Sequence, residues 1–183
     1  MGRNVLRELR DKHSYRKGCI TLSTNLVMER ETPVTKKKTM EAHDIEVSVY
    51  NDDNNYRKTL EVQVVGNTLC PHALKKTGNR SHIQRAVGIL SIDTNYEKEI
   101  ALEDMIDVVE ESFPSPVYTL LKTEDEIDVV NRMFQKPRFV EDVTREILDK
   151  ARERFKDCEI RVKTISEESI HRHDVIAEGS CFS

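Results

Sequence analysis

Asn51-Asp52-Asp53-Asn54-Asn55 is a run of turn-forming residues set between two alternating stretches. Before it, Ile45, Val47 and Val49 recur at every second position; beyond it, Leu60, Val62 and Val64 do the same. Asn and Asp satisfy nearby backbone groups through short side chains and tolerate a left-handed φ, so the run favours a chain reversal. Period-2 alternation on both sides then specifies two half-buried strands joined as an antiparallel pair. Ile20, Leu22, Thr24 and Leu26 alternate upstream, across the loop Thr32-Pro33-Val34-Thr35-Lys36-Lys37-Lys38. Three strands with tight connections predict an antiparallel meander.

The chain goes on in the same mode and then changes period. A strand-like run delivers Cys70 to a turn at Leu69-Cys70-Pro71-His72. After the polar stretch Lys75 to Arg80, His82 stands just ahead of a strand through Val87, Ile89 and Ile92. Leu102, Met105, Ile106 and Val109 recur at helical spacing until Pro114 and Pro116 interrupt them. Glu124 to Gln135 reads as a second helix. A third opens at Pro137 and carries Phe139, Val140, Val143, Ile147, Ala151 and Phe155 on one face. Ile160 and Val162 form a strand, Ser166 to Ser169 a turn, and Ile170 to Glu178 a last strand with His171 and His173 on one face. Helices layered on one face of an antiparallel sheet make an α+β fold.

Of the 183 residues, 34% are charged and 5% aromatic, none is Trp, and the formal charge is −4. The balance argues against nucleic acid as the main partner. Residues 3–17 are basic with Val5, Leu6 and Leu9 at near-helical spacing; a solvated amphipathic helix is the plainer reading and a nucleic-acid arm the sharper one. No apolar run approaches the roughly 18 residues that cross a bilayer, and the first residues lack the apolar core of a secretory signal. Cysteines at 19, 70, 158 and 181 show no disulfide spacing. A cytoplasmic protein without a membrane partner is the expectation.

Cys70 and His82 at the mouths of neighbouring strands make half of a plausible metal site. His171, His173, Glu167, Glu168, Glu126 and Glu141 complete the parts of a borderline-soft centre, and thiolate with imidazole suits Zn²⁺ or Fe²⁺ over Mg²⁺ or Ca²⁺. Each part has a bland reading beside this one. A lone histidine pair is usually on the surface, Glu126 and Glu141 fit solvated helix faces, and Cys158 and Cys181 fit structural positions.

Six ordered segments carry a resemblance. Leu69-Cys70-Pro71-His72 is similar to Leu-Cys-Pro-Cys, and His82-Ile83-Gln84-Arg85 to His-x-Gln-Arg. Ser115-Pro116-Val117-Tyr118, Leu120-Leu121-Lys122 and Asp125-Glu126 follow a Ser-Pro-Val-Tyr…Leu-Leu-Lys…Asp-Glu run. Pro137-Arg138-Phe139-Val140-Glu141-Asp142 is similar to Pro-Lys-Phe-Val-Glu-Asp, Glu168-Ser169-Ile170-His171-Arg172-His173 to Glu-Ser-Ile-His-Asn-His, and Thr32-Pro33-Val34-Thr35 with Lys38 to Ala-Pro-Val-Ser…Lys. These are segments of the GTP cyclohydrolases of type IB and their archaeal methanopterin-pathway relatives, proteins of the tunnelling fold (T-fold).

The resemblance implies sheets that join into an oligomeric barrel, a homo-oligomer with sites between subunits, and GTP as substrate. It implies one divalent metal per site, Fe²⁺ favoured with Zn²⁺ or Mn²⁺ as alternatives, held by Cys70, His82, Glu126 and His171. Glu141 would grip the guanine edge through paired hydrogen bonds. Lys38 and Arg85 would hold phosphates, and His173, Glu168 and His72 would serve proton transfer. Water attack at C8 would open the imidazole ring, release formate and leave a 7,8-dihydroneopterin phosphate. The 2′,3′-cyclic phosphate is favoured over the triphosphate, because Ala86-Val87 replaces the Ser-His of the bacterial proteins.

Two departures stand out. His72 replaces the second Cys of the motif. The chain is also short for a pair of tandem modules: residues 1–55 are expected to be a reduced first module and 56–183 a complete second one. A non-catalytic purine- or pterin-binding or assembly protein is therefore the alternative.

Overall fold

The computed structural model describes residues 2–183. Alternating apolar residues produce six strands: β1 (Lys17–Glu31), β2 (Lys38–Asp52), β3 (Asn55–Leu69), β4 (Ile83–Asn95), β5 (Glu159–Ser166) and β6 (Val175–Phe182). They lie side by side in chain order in one antiparallel sheet. The expected meander is there, extended to all six strands. The β2–β3 reversal uses Asp53 and Asn54 at φ 47° and 71°, two left-handed residues of the kind a two-residue hairpin needs. The Asn51 side chain accepts from the Asn54 amide at 3.0 Å.

Five helices accompany the sheet: α1 (Gly2–Lys12), α2 (Pro71–Thr77), α3 (Leu102–Glu110), α4 (Thr123–Gln135) and α5 (Val140–Arg154). Met105 and Val109 of α3 and Val143, Ile147 and Ala151 of α5 pack against Val62, Val64, Leu90, Ile92, Ile160 and Val162. Phe113, which follows α3, lies flat on Gly66. A Cβ built there would fall 2.3 Å from the ring, so the close approach of helix layer and strand requires glycine. Among the described residues, most of the opposite face of the sheet has no helical cover. It holds polar pairs such as Asn25–Asp44 and Glu61–Ser91, and the ion pair Lys163–Glu178.

The helix-facing side of β1 and β2 is mixed: Leu26, Met28, Ile45 and Val47 pack against the same core, and charged groups are buried beside them. Arg30 reaches Asp107 at 2.5 Å and Glu110 at 2.9 Å on α3, and His43 lies 3.7 Å from Glu110. Burial pushes the Glu110 carboxyl up, with the Arg30 charge opposing part of that rise. Burial and then Arg30 push His43 down. At the other end Leu6 seats α1 against the sheet, and the Tyr15 hydroxyl donates to the Leu6 carbonyl.

Three expectations are corrected. The stretch after Cys70 is helical: Cys70 caps it, Pro71 takes the first position and Gly78 ends it at φ 77°, the Pro-first, Gly-last pattern of helices. Pro137 precedes α5 rather than opening it; Phe139 is the N-cap. The last strand begins at Val175, not Ile170. Pairing of β5 with β6 stops at Ser166–Val175, while the Glu167 amide donates to Arg85 O at 2.9 Å and carries the β4–β5 ladder one residue further. His171 and His173 thus sit in a loop and not on a strand face. Among the described residues, no helix is long and apolar enough to cross a membrane.

Candidate active site

At one end of the sheet the last residues of β3 and β5 and the first of β4 meet the N-terminal ends of α2 and α5. Cys70 leaves β3 and caps α2, its Sγ accepting from the Ala73 amide at 3.3 Å. The Cys70 amide donates to His82 O at 3.4 Å, and the Ser81 hydroxyl donates to Cys70 O at 2.7 Å. The two residues are therefore tied across the mouth of the β3–β4 pair. One position earlier, the Leu69 amide donates to Arg138 O at 3.1 Å. That bond brings the segment leading into α5, whose first turn carries Glu141, to the same end.

Beneath Cys70 and His82 lies a polar network built from three neighbouring strands. His82 Nδ1 is 2.8 Å from Gln84 Oε1 and 3.8 Å from Glu168 Oε2. Gln84 Nε2 donates to Thr68 Oγ1 at 2.9 Å and to Glu168 Oε1 at 3.2 Å. Ser166 Oγ is 2.7 Å from Thr68 Oγ1 and donates to Glu168 Oε1 at 2.8 Å. Thr68 and Ser166 are 1% and 0% exposed, so water does not compete for these groups.

A second joint fixes the β1–β2 loop. Asp125, on the first turn of α4, is fully buried. It accepts from the Val34 amide at 2.9 Å, from the Thr35 amide and hydroxyl at 2.8 and 2.6 Å, and from the Lys122 amide at 3.1 Å. Burial alone would raise its pKa. The hydrogen bonds from Thr35, Val34 and Lys122 outweigh that and hold the carboxyl well below the usual carboxylate range. Glu41 repeats the device on β2, accepting from the Thr119 amide at 2.9 Å and its hydroxyl at 2.7 Å. The Thr32–Lys38 loop and the start of α4 thus form one body, although some 90 positions separate them.

The remaining expected residues are distributed as follows. Glu126 is exposed on α4, next to Asp125, and Glu141 is exposed on the first turn of α5. His72 is exposed at the start of α2. Lys38 begins β2 and pairs with Glu29 at 2.8 Å. Arg85 alternates with buried Gln84 and so lies on the open face. His171 and His173 are exposed, with their rings stacked 5.3 Å apart. The structure therefore ties Cys70 to His82 through the backbone, sets Glu168 beside the His82 ring, and leaves Glu126, His171 and His173 on exposed segments. Among the described residues, no three His, Cys, Asp or Glu side chains are grouped closely enough to hold a metal ion.

Sequence reasoning missed Asp125, Glu41, Thr68 and Ser166 as site-building residues, and passed over Gln84. For Asp125 a signal existed: Lys122-x-x-Asp125 has the spacing of a helix-start capping pair.

The family model for type I GTP cyclohydrolase folE2 matches residues 2–177. The chain is 53% identical over 175 residues to the GTP cyclohydrolase MptA of Pyrococcus furiosus, which covers 95% of this chain and 65% of that protein. It is 51% identical over 179 residues to the GTP cyclohydrolase MptA of Thermococcus kodakarensis, covering 97% and 67%. To the protein of that name from Methanobrevibacter smithii it is 32% identical over 207 residues, covering 95% and 67%. The chain spans about two thirds of the length of these curated relatives.

Proposed function

Since the chain belongs to the type I GTP cyclohydrolase folE2 family, we propose that it hydrolyses the imidazole ring of GTP at C8 and releases formate. The product is a 7,8-dihydroneopterin phosphate. Relatives at 51 to 53% identity that bear the name GTP cyclohydrolase MptA favour the 2′,3′-cyclic phosphate, at the entry to methanopterin- or folate-type pterin synthesis. The observation that carries this reading is the corner where Cys70 and His82 are tied to one another beside Glu168.

The donors at that corner fit a divalent transition ion: a thiol, an imidazole with one nitrogen engaged by Gln84, and a nearby carboxylate. Cys70 and His82 would hold it, with Glu126 and His171 brought in from their exposed segments. The ion, Fe²⁺ favoured and Zn²⁺ or Mn²⁺ as alternatives, would supply Lewis-acid activation of water near neutral pH. Glu141 accepts the ring N–H and the amino group of guanine and so sets C8 toward the corner. Lys38 and Arg85 hold the phosphates, and Glu168, His173 and His72 move protons.

The chain is a tunnelling-fold protein in this reading, with residues 1–55 a reduced first module and 56–183 a second one. The helix-free face and the outer strands β1 and β6 support assembly into a homo-oligomeric barrel with sites between subunits. Exposed Ile176 and Phe182 on β6 (54% and 74% exposed) fit burial in such an assembly.

Anaerobic incubation of the Fe²⁺-loaded protein with GTP tests the proposal. Formate and a fluorescent pterin are expected, and Cys70→Ala should lower the metal content. GTP binding without turnover would instead favour a non-catalytic purine- or pterin-binding protein. The exposed positions of Glu126 and His171, away from Cys70 and His82, are the observation that favours that second reading.

A further inference from the structure

Gln84 lies two residues after His82 on β4 and is 7% exposed. The two ends of a side-chain amide differ only in the hydrogen bonds they can make, so its partners decide which way it points. Here they decide fully. Glu168, as a carboxylate, can only accept, and its Oε1 is 3.2 Å from one end of the amide. That end must be the NH₂ group. The other end, 2.8 Å from His82 Nδ1, is then the carbonyl oxygen, which also can only accept. His82 Nδ1 must therefore carry a proton, and in the neutral ring Nε2 keeps the free lone pair. The reversed amide would set a carbonyl oxygen against a carboxylate oxygen with no hydrogen between them.

The hydroxyls run the same way round. Thr68 accepts from Gln84 at 2.9 Å and so gives its own hydrogen to Ser166 at 2.7 Å, and Ser166 gives its hydrogen to Glu168 at 2.8 Å. Every donor has one acceptor, and no second arrangement satisfies all the groups. Glu168 Oε2, 3.8 Å from His82 Nδ1, further favours a proton there.

We infer that Gln84 is a positioning residue: held by Thr68, Ser166 and Glu168, it fixes His82 as the Nδ1–H tautomer and reserves Nε2 as the nitrogen that ligates a divalent transition ion. The use of Nε2 rests on the cyclohydrolase reading; the tautomer does not. In this arrangement Glu168 acts on His82 through Gln84.

Two-bond ¹H–¹⁵N correlation spectra of the metal-free full chain, labelled at its six histidines and kept above the pH at which imidazole protonates, test the assignment. His82, identified by its loss in His82→Gln, should show a protonated Nδ1 and a bare Nε2. A bare Nδ1 would overturn the inference; the tautomer itself is read on the unaltered chain, and His82→Gln serves only to assign its signals. Gln84→Met keeps the side-chain length and removes the donors and acceptor. It should give mixed tautomers and bind Co²⁺, followed by its ligand-field absorption, on the order of 10–100-fold more weakly. Ser166→Ala, which loosens Gln84 without replacing it, should fall in between. Unchanged tautomer and Co²⁺ affinity in Gln84→Met would overturn the role of Gln84. An Nδ1–H His82 in a chain that releases no formate would count against the cyclohydrolase reading alone. Formate release with an Nε2–H His82 would count against this inference alone.

Discussion

The two halves of the sheet meet the helical layer differently: one through apolar contact alone, the other through apolar contact at Leu26, Met28, Ile45 and Val47 with polar joints added. Over β3, β4 and β5 the contact is dry: Val62, Val64, Leu90, Ile92 and Ile160 meet Met105, Val109, Val143 and Ile147, all at 0% exposure. Over β1 and β2 the corresponding positions include Arg30, which pairs with Asp107 and Glu110 of α3, and Glu41, which accepts from Thr39 beside it and from the Thr119 amide ahead of α4. Apolar burial stabilises by area, at about 25 cal/mol per Å², and is indifferent to small sliding. A buried hydrogen bond adds only about 1 kcal/mol net, but it is lost when its partners move by an ångström. The first half therefore supplies most of the stability. The second supplies position, and what it positions is the Thr32–Lys38 loop with its lysines.

Substitutions can break or sharpen that contrast. The largest effect is expected in the dry half, where Phe113→Ala should cost about 3–5 kcal/mol in urea unfolding. A loss below about 1 kcal/mol would mean that this half is not the main source of stability. Gly66→Ala should cost about 1–3 kcal/mol by forcing the Phe113 ring away, and Phe113→Leu in the same chain should recover part of that loss.

In the polar half the expected result is a shift of function ahead of fold. Asp125→Asn keeps one oxygen for the Val34 and Thr35 amides but sets an NH₂ group where Oδ2 accepts from the Thr35 hydroxyl and the Lys122 amide. It should lower kcat/KM for GTP on the order of 10–100-fold, as misplaced substrate-holding groups do, with a smaller drop in Tm than Phe113→Ala. A Tm loss as large as that of Phe113→Ala would erase the distinction. The same carboxylate makes an acid-side prediction. Its pKa is depressed in the fold, so its contribution is complete above the ordinary value of 3.8 and is lost as pH falls toward the folded value. Asp125→Asn should flatten that part of the stability curve below about pH 4. The smallest effect belongs to the open face: Lys163→Ala breaks an exposed pair with Glu178 and should change stability by no more than about 0.5 kcal/mol.

Much of the fold was legible in the chain. Alternation at Ile45–Val49 and Leu60–Val64 and the Asn-Asp turn between them correspond to β2, β3 and a left-handed two-residue reversal. Leu102–Val109 and Val140–Phe155 correspond to the two helices that build the core. Of the candidate site, Cys70 and His82 could be read as a pair from their place at strand ends. The helix at 71–77 was also signalled, by Pro71 and Gly78, but seven residues carry too little periodicity to announce a helix.

What the sequence determined by itself was thus the period of each segment, the places where period changes, and the short motifs that carry reactive side chains. These are local properties, set by rotamers, turn chemistry and the burial of one face. The tertiary structure alone decided which distant groups supply each other's hydrogens. Nothing near Asp125 specifies Val34 and Thr35 as its donors, and nothing near His82 specifies a proton on Nδ1. That proton follows from Gln84, Thr68, Ser166 and Glu168 meeting at the ends of three strands. Nor could alternation tell where β6 begins. Pairing with β5 ends at Ser166–Val175, and His171 and His173 lie in the loop between the two strands. A buried polar group must find a partner wherever the fold places one, and periodicity along a single strand records only that the group is buried.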